Sequence, residues 1–431
     1  MDQQFFINLL AAAVQRGVSD IHLHPGSPPA FRLKGDLVNV KCPAITEQDM
    51  LKIGQYMITD PTIVQKFGTL QDYDGSFEVK GLSRFRFNFF RYRGKYGAIL
   101  RIIPSAVPTI ESLGLPAVLK KIAGNQRGLV LVTGATGSGK SSTLAAMIDY
   151  INTNYPTHIL TIEDPVEFVH QQKKARLTQR EIGGDTLSFA SALRSALRQD
   201  PDIILVGEMR DPETIDIALK AAETGHMVFS TVHTSDVMKT IGRLMAVFKP
   251  EEQHSVRQRL ADNLQAIISQ RLVKRADKKG MIAAQEIMVN YLATQECIAD
   301  PAKTGEINDY IYKSREVLGG QTFDQHLAEL YQRGVVTLED AKEASTNASD
   351  FERNLMFSTN GQSGDTKNTH KDDPLNAMAA AVSLEGSTDG GAEEKPNETE
   401  AAPAKTSTSI TMNTGQTKIT KTTSTGVKKV A

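Results

Sequence analysis

One segment determines the architecture of the chain around it: Gly134-Ala135-Thr136-Gly137-Ser138-Gly139-Lys140-Ser141. It follows the apolar run Leu129-Val130-Leu131-Val132 and precedes a helical pattern that begins near Ser142. A strand, a glycine-rich loop with G-x-x-x-x-G-K-[ST] spacing and a helix, in this order, are typical of a P-loop. Glycines let backbone N–H groups turn toward phosphate oxygens, and the helix N-terminus adds partial positive charge. The sequence therefore predicts a phosphate-binding loop.

The same loop supplies the candidate nucleotide-binding and metal-binding groups. In a P-loop the lysine reaches the β- and γ-phosphates and the following hydroxyl ligates Mg²⁺, which assigns these roles to Lys140 and Ser141. The candidate nucleotide-binding residues are Gly134, Ala135, Thr136, Gly137, Ser138, Gly139, Lys140, Ser141 and Ser142.

Length and composition limit the class of protein. A chain of 431 residues with 40% apolar residues predicts two folded domains and additional chain. The net charge of −1 gives no support for electrostatic binding to nucleic acid, so no nucleic-acid partner is expected. Cys42 and Cys297 are too few for a disulfide framework or a four-cysteine zinc site. With no membrane-spanning apolar run and no signal peptide, we expect a soluble cytoplasmic protein that can work at a membrane through partners.

The first hundred residues predict a small α+β domain. The apolar spacing of residues 5–14 is typical of a helix, and residues 19–24 alternate as a half-buried strand does. The other predicted elements are a hairpin over 31–38, a helix over 47–57 capped by Thr46, and strands over 84–91 and 96–103.

Two patterns in this domain have more than one interpretation. His22 and His24 share a strand face and could hold a metal ion, but no third ligand is evident nearby, which favours a polar face. Residues 84–91 alternate arginines and aromatics, as in a nucleic-acid platform or in a sheet with an aromatic core and outward arginines; the net charge favours the sheet. A third possibility makes Arg86 and Arg101 arginine fingers that reach nucleotide in a neighbouring subunit.

The chain after the P-loop predicts a parallel sheet, because strand–helix units repeat over residues 128–240. The strand 158–162 ends at Glu163, and Glu208 follows the apolar strand 203–206. Ligands of open α/β sheets bind at the carboxyl ends of strands. Glu163 is therefore a candidate base for attacking water and Glu208 a candidate Mg²⁺ ligand in the Walker B position. The alternative for each is a solvated carboxylate at a strand end.

Two histidines, His226 and His233, bracket the strand 227–231. A histidine beside a phosphate site can sense the γ-phosphate, although most lone histidines are structural. Asp185 is predicted to cap a helix that runs through Leu197. Beyond the sheet, helices are predicted over 251–271, 291–299, 307–318, 323–333 and 338–344.

Together these motifs resemble those of secretion ATPases of the type II/type IV pilus class, and among them the type IV pilus retraction ATPases PilT and PilU. The resemblance covers about residues 1–357 and rests on the P-loop, Glu163-Asp164-Pro165, the run Arg198–Asp211 and the histidine box His226–His233. It implies a PAS-like N-terminal domain and a RecA-like α/β ATPase domain with a helical C-terminal region. It also implies a homo-hexameric ring with ATP and Mg²⁺ bound between the two domains.

The resemblance further implies roles and partners. Glu163 would be the general base, Glu208 would bind Mg²⁺ through water, and His233 would complete the catalytic set. ATP-driven subunit motion would act on an inner-membrane platform protein, disassemble the pilus and power twitching motility. The protein would be cytoplasmic and peripherally associated with the inner membrane at the pilus base.

Departures from the family patterns refine the expectation. The chain shows neither the long N-terminal extension nor the four-cysteine module of pilus-extension and type II secretion ATPases. The Ala-Ile-Arg-Asn-Leu-Ile-Arg-Glu motif of PilT has no match between Glu286 and Arg315, whereas residues 320–331 look like PilU. The chain is therefore expected to be closer to PilU and to act as a PilT-dependent accessory motor.

The predicted organisation is residues 1–105 as N-terminal domain, 106–115 as linker, 116–357 as ATPase domain and 358–431 as tail. The tail is poor in aromatics and rich in Ser, Thr, Gly and Asn, which predicts disorder, either as a solvated extension or as a partner-binding segment.

Two alternatives stay open for function. One is an ATPase of a type II or type IV secretion or DNA-uptake system; the other is a ring subunit that couples PilT to the platform protein and whose own turnover is dispensable.

Overall fold

A computed structural model describes residues 3–33, 35–58, 60–103, 106–360, 408–413 and 416–421. The chain divides into a unit of residues 1–375 and a unit of residues 376–431. The strands of the first unit are β1 (Asp20–Leu23), β2 (Ala30–Leu33), β3 (Asp36–Asn39), β4 (Asp72–Val79), β5 (Ser83–Tyr92), β6 (Lys95–Ile103), β7 (Gly128–Thr133), β8 (His158–Glu163), β9 (Arg176–Glu181), β10 (Ile203–Val206), β11 (Met227–Val232), β12 (Leu264–Lys274) and β13 (Met281–Val289). Its helices are α1 (Gln3–Gln15), α2 (Glu47–Met57), α3 (Pro61–Gln65), α4 (Val118–Ala123), α5 (Lys140–Asn154), α6 (Phe189–Ala196), α7 (Pro212–Glu223), α8 (Val237–Ala246), α9 (Pro250–Asn263), α10 (Leu292–Ala299), α11 (Ile307–Lys313), α12 (Arg315–Leu318), α13 (Phe323–Gln332), α14 (Leu338–Ala344) and α15 (Ala348–Asn360).

The N-terminal part of the first unit is an antiparallel sheet in the order β3-β2-β1-β6-β5-β4. Phe85, Phe87 and Phe89 of β5 are at most 1% exposed and pack with α1 and α2. Arg86 lies between them in sequence and points away, because successive side chains of a strand alternate faces. The interpretation as an aromatic core face with outward arginines is confirmed. The rings of His22 and His24 stack, and the described residues offer no third metal ligand.

The second sheet has the order β13-β12-β7-β11-β10-β8-β9. Its strands are parallel except for β13, which pairs antiparallel with β12. Strands β7 and β11 are buried along their whole length. One hydrophobic core lies between one face of the sheet and the helices α6, α7, α8 and α9. A second lies between the opposite face and the helices α4 and α5. Because β7, β8, β10 and β11 run in parallel, their carboxyl ends meet at one edge.

Two predicted elements are wrong. The helix predicted over 251–271 ends at Asn263, and the strand β12 begins directly at Leu264. No turn residue separates them, and a short buried apolar run fits either state, so pairing with β7 and β13 decides the outcome. The predicted cap Asp185 is also wrong: Ser188 caps α6, while the Asp185 carboxylate accepts a hydrogen bond from the backbone N–H of Glu181.

The C-terminal helices α13, α14 and α15 pack on β12 and β13 around Phe323 and Phe351. Of the predicted tail, Thr408–Asn413 (β14) and Gln416–Lys421 (β15) form an antiparallel pair, and residues 361–407, 414–415 and 422–431 lie outside the described residues. Disorder of the tail and the domain boundaries stay predictions. Within the described ranges, no helix has the length and apolar character needed to cross a bilayer.

Candidate nucleotide-binding and catalytic site

The loop between β7 and α5 has the backbone of a phosphate-binding turn. Gly134, Gly137 and Gly139 have φ of 148°, 81° and 88°, values that residues with a Cβ rarely adopt. A Cβ on Gly134 would lie 2.4 Å from Ser138 Oγ and 2.5 Å from the carbonyl oxygen of Gln270. Glycine is therefore required here by backbone conformation and by space.

Lys140 begins α5 and is 8% exposed. Its Nζ donates to the carbonyl oxygens of Gly134 and Ala135, each at 3.0 Å. Burial lowers the pKa of this lysine, and the negative charge of Glu167 and Glu208 opposes that fall. The ammonium is therefore held in the loop itself rather than in bulk solvent.

A cavity of about 460 Å³ opens beside this loop. It is lined by the P-loop residues Thr136, Gly137, Lys140 and Ser141, and by Glu163, Glu208, His233 and Arg86. These residues come from β5, from α5 and its loop, and from the carboxyl ends of β8, β10 and β11. Phe168, His170 and Phe189 also line the cavity. The sheet edge thus brings together side chains that are widely separated in sequence.

Glu163, the last residue of β8, is half-buried in this cavity and held by donors. Thr161 Oγ1 and Gln179 Nε2 donate to its Oε1 at 2.6 and 3.1 Å, and the backbone N of Glu167 donates to its Oε2 at 3.4 Å. Burial raises the pKa of the Glu163 carboxyl, and these hydrogen bonds oppose the rise because they favour the carboxylate. A fixed carboxylate with a raised pKa is suited to accept a proton from water.

Glu208 lies between a cation and a histidine. Its Oε2 is 2.6 Å from a guanidinium nitrogen of Arg210 and 3.6 Å from Nε2 of His233. Burial lowers the pKa of His233, and the nearby Lys140 charge adds to this, so the imidazole is neutral at neutral pH. A neutral ring can donate or accept a hydrogen bond beside the carboxylate.

The donor set fits Mg²⁺. Ser141 and Glu208 present a hydroxyl and a carboxylate to one cavity, and oxygen donors are what Mg²⁺ prefers. The described residues contain no cluster of three or more His, Cys, Asp or Glu side chains placed to bind a metal. A Mg²⁺ ion that shares its coordination among one or two protein oxygens, phosphate and water needs no such cluster.

Two predicted site residues lie elsewhere. Arg101 is the cross-strand partner of Arg86, but its Nε donates to Asp20 at 2.8 Å and its side chain is largely exposed. His226 precedes the amino end of β11, opposite the edge that carries His233, and its Nδ1 lies 3.0 Å from the carbonyl oxygen of Ala221. Neither lines the cavity, whereas Arg86 lines the cavity of its own chain.

The sequence did not predict two side chains that position groups of the site, Gln179 and Gln270. Gln179 lies on β9, whose polar sequence Arg176-Leu177-Thr178-Gln179-Arg180-Glu181 gives little strand signal. Gln270 lies in the segment predicted as a helix, and its Nε2 donates to the carbonyl oxygen of Ser138 in the P-loop at 2.7 Å. Only the pairing of distant strands places Gln179 beside Glu163 and Gln270 beside the P-loop.

Comparison with known proteins assigns the family. The model of the type II/IV secretion system protein family matches residues 3–364. The chain belongs to this family. As a member of it with the P-loop geometry above, the chain is a PilT/PilU-like ATPase that uses nucleotide.

Relatives within the family include pilus ATPases. The chain is 47% identical over 343 residues to the type IV pilus retractation ATPase PilT of Pseudomonas aeruginosa, covering 80% of this chain and 98% of PilT. It is 37% identical over 383 residues to the type IV pilus ATPase PilU of the same organism, covering 88% of this chain and 96% of PilU. The identity to PilT is thus higher than the identity to PilU, whereas residues 320–331 predicted a chain closer to PilU.

Solved structures of the family have the same fold. A crystal structure of the pilus retraction motor PilT with bound ADP matches with a TM-score of 0.74 at 43% identity, covering 82% of this chain and 99% of that chain. The ATPase DotB of Legionella pneumophila matches with a TM-score of 0.65 at 29% identity, covering 79% of this chain and 95% of that chain. The two-domain, RecA-like architecture of secretion ATPases is therefore the fold of this chain.

Proposed function

We propose that this chain is the subunit of a hexameric motor that hydrolyses Mg²⁺-ATP and drives retraction of a type IV pilus. The observation that carries the proposal is the single cavity lined by Lys140, Ser141, Glu163, Glu208 and His233. Similarity to PilT and PilU over most of the chain supports pilus retraction as the work performed.

Phosphate binding falls to the P-loop and the start of α5. Backbone N–H groups of residues 134–141 and the helix N-terminus present positive charge to the phosphates. Lys140 adds a buried ammonium for the β- and γ-phosphates. Ser141 and Glu208 would hold Mg²⁺, Glu208 through water, and the ion when bound neutralises charge on the phosphate oxygens.

Proton transfer falls to Glu163. Its carboxylate accepts the proton of the attacking water, and the hydrogen bonds from Thr161 and Gln179 fix the direction of its lone pairs. Lys140 and Arg86, which line the same cavity, stabilise charge that builds on the γ-phosphate oxygens. Nε2 of His233 lies 3.6 Å from Oε2 of Glu208, and the histidine reports whether the γ-phosphate is present.

The motor acts from the cytoplasmic side on an inner-membrane platform protein at the pilus base. A second candidate role is an accessory retraction motor that works only with PilT. The long alignment with PilU and the PilU-like residues 320–331 favour this second role. The higher identity to PilT favours the first.

The chemistry is tested with purified protein. We expect Mg²⁺-dependent ATP hydrolysis by the wild type, loss of hydrolysis and nucleotide binding in Lys140→Ala, and loss of hydrolysis with retained binding in Glu163→Gln. Light scattering on the same samples should give the mass of a hexamer. A monomeric wild type without turnover would contradict the proposal. His233→Gln and His226→Gln form a matched pair, because only His233 lines the cavity.

The biological role is tested in cells that carry or lack PilT. An independent motor restores twitching in a strain that lacks both this chain and PilT. An accessory motor restores it only when PilT is present, and Lys140→Ala abolishes the restored force. Retraction under load by the Lys140→Ala variant would assign the chain to coupling rather than to force generation.

A further inference from the structure

The carboxylate of Glu181 joins the N-terminal sheet to the ATPase sheet. Ser76 Oγ of β4 donates to Glu181 Oε1 at 2.6 Å, and the guanidinium of Arg84 on β5 donates to Glu181 Oε2 at 2.7 Å. The same guanidinium nitrogen donates to Ser76 Oγ at 2.7 Å, which closes the triangle. The side chain of Glu181 is 12% exposed and that of Arg84 26%. We call Ser76, Arg84 and Glu181 the interdomain triad.

The same carboxylate contacts the loop that follows the candidate base. The backbone N–H of Val166 donates to Glu181 Oε2 at 3.2 Å. Glu181 and Glu163 are also register partners at the ends of β9 and β8. Glu181 therefore holds the N-terminal sheet through both of its carboxylate oxygens, and Oε2 also supports the segment from Glu163 to Val166.

The triad also fixes an arginine of the cavity. Arg84 and Arg86 are two residues apart on β5, so both side chains lie on the same face of the strand. Arg84 is anchored to Glu181, and Arg86 lines the nucleotide cavity. A shift of the N-terminal sheet that breaks the anchor would also withdraw Arg86.

We propose that Glu181 is a positioning residue that couples the placement of the N-terminal sheet to the alignment of Glu163. Hydrolysis then proceeds while Ser76 and Arg84 engage Glu181, and slows when the N-terminal sheet moves away. A partly buried carboxylate that loses its cationic partner destabilises the arrangement around it. Glu181 therefore moves, and the segment from Glu163 to Val166 rearranges with it. This inference rests on the ATPase activity proposed above and adds its dependence on domain position.

A purely structural ion pair predicts a different result. If the triad only holds two domains together, its loss lowers the melting temperature and nucleotide affinity but leaves the chemical step unchanged. If Glu181 positions Glu163, its loss lowers kcat and leaves KM for ATP and binding of a non-hydrolysable ATP analogue nearly constant.

The experiment compares full-length Arg84→Gln, Arg84→Lys, Glu181→Gln and the double variant Arg84→Gln/Glu181→Gln. We expect kcat to fall roughly 10- to 100-fold in Arg84→Gln and Glu181→Gln, as small misplacements of reacting groups do. The double variant should be no slower than the slower single variant, because both remove one interaction. Arg84→Lys keeps a cationic donor and should recover most of the rate.

The matched control is Arg259→Gln. Arg259 has nearly the same exposed fraction as Arg84, 25%, and its ion pairs with Asp216 and Glu223 join α7 and α9 away from the cavity. It should lower stability without changing kcat. Unchanged kcat in folded Arg84→Gln and Glu181→Gln, additive losses in the double variant, or an equal loss in Arg259→Gln would overturn the inference. A wild type without turnover would overturn the proposed function itself. An active wild type with any of the three results above would overturn only the inference about Glu181, so the two failures are distinguishable.

Discussion

Gln179 binds Glu163 across the parallel strands β8 and β9: its Nε2 donates to Glu163 Oε1 at 3.1 Å. The same nitrogen donates to the carbonyl oxygen of Phe168 at 2.9 Å, and Oε1 of Gln179 accepts from the backbone N of His170 at 2.9 Å. One amide therefore fixes both the candidate base and the loop that closes its side of the cavity. Since an amide carries no charge, it orients Glu163 without neutralising it.

Replacing Gln179 with leucine should slow hydrolysis and shift its pH dependence. The lost hydrogen bond favoured the carboxylate, so the pKa of Glu163, already raised by burial, rises further. Because the base must be deprotonated, the acidic limb of the pH–rate profile should move to higher pH, and on that limb kcat should fall roughly tenfold for each pH unit of displacement. Gln199→Leu is the control, since the side-chain amide of Gln199 donates to Ser195 Oγ at the surface, away from Glu163. An unshifted profile in Gln179→Leu would contradict this role.

Replacing Gly134 with alanine should abolish nucleotide binding. The added Cβ would approach Ser138 Oγ and the carbonyl oxygen of Gln270 within 2.5 Å, at a φ that alanine avoids. Gly242→Ala is the matched control, because this glycine lies within α8 with open space around it. That control should be as stable as the wild type or about 1 kcal/mol more stable. Titration with a fluorescent ATP analogue measures both variants, and wild-type affinity in Gly134→Ala would contradict the described loop.

Replacing Glu286 with glutamine should stabilise the protein at alkaline pH. The Glu286 side chain is buried, accepts from the backbone N of Val237 at 2.8 Å, and burial raises its pKa to about 7. The folded state thus retains a proton that the unfolded state releases near pH 4.5. This contribution is fully present below pH 4.5 and is lost as the pH rises through 7.

At pH 8 the free energy of unfolding of the Glu286→Gln variant should therefore exceed that of the wild type by up to about 3 kcal/mol, and at pH 4.5 the two free energies should be similar. Urea denaturation at both pH values measures the difference. The exposed Glu343 provides the control Glu343→Gln, for which no pH-dependent difference is expected. An equal effect of Glu286→Gln at both pH values would show that lost packing, not ionisation, is responsible.

Replacing His326 should reduce sensitivity to acid. His326 is 3% exposed, its Nδ1 accepts from the backbone N of Gln285 at 2.9 Å, and burial lowers its pKa to about 4. The unfolded state binds a proton near pH 6.5 that the folded state refuses, so stability falls as the pH drops from 6.5 to 4. By pH 5 this loss amounts to about 2 kcal/mol.

His326→Gln, whose side-chain oxygen can accept the same hydrogen bond, should lower stability at pH 7.5 but flatten the decline toward pH 5. His254→Gln is the exposed control and should leave the decline unchanged. The half-buried His170, whose pKa is also lowered to about 4, accounts for part of the slope that remains. A decline of wild-type steepness in His326→Gln would contradict the assignment.

Much of the candidate site follows from short-range patterns. The P-loop spacing, the apolar strands before Glu163 and Glu208, and the strand before His233 could each be recognised locally. Parallel strands then deliver their carboxyl ends to one edge without further information. The cap of α2 is similarly local, since the Thr46 hydroxyl accepts from the backbone N of Asp49, three residues away.

The errors arose where a segment's state depends on distant partners. Residues 264–271 continue directly from a helix and carry apolar side chains that suit either structure; they are a strand because β7 and β13 flank them. The polar strand β9 forms at the sheet edge by pairing with β8. Gln179, Glu181 and Gln270 gain their roles through these two strands.

The sequence by itself determined the phosphate loop, the acids and histidine at the strand ends, and the family, because these depend on spacing over a few residues. Tertiary structure alone decided which arginine lines the cavity, which histidine does not, and which carboxylate joins the two sheets. Arg86 and Arg101 are chemically equivalent in the sequence, and only the partner Asp20 and the neighbouring ATPase sheet distinguish them. Hydrogen bonds such as that from Arg84 to Glu181 span 97 residues, and nothing local in the chain specifies them.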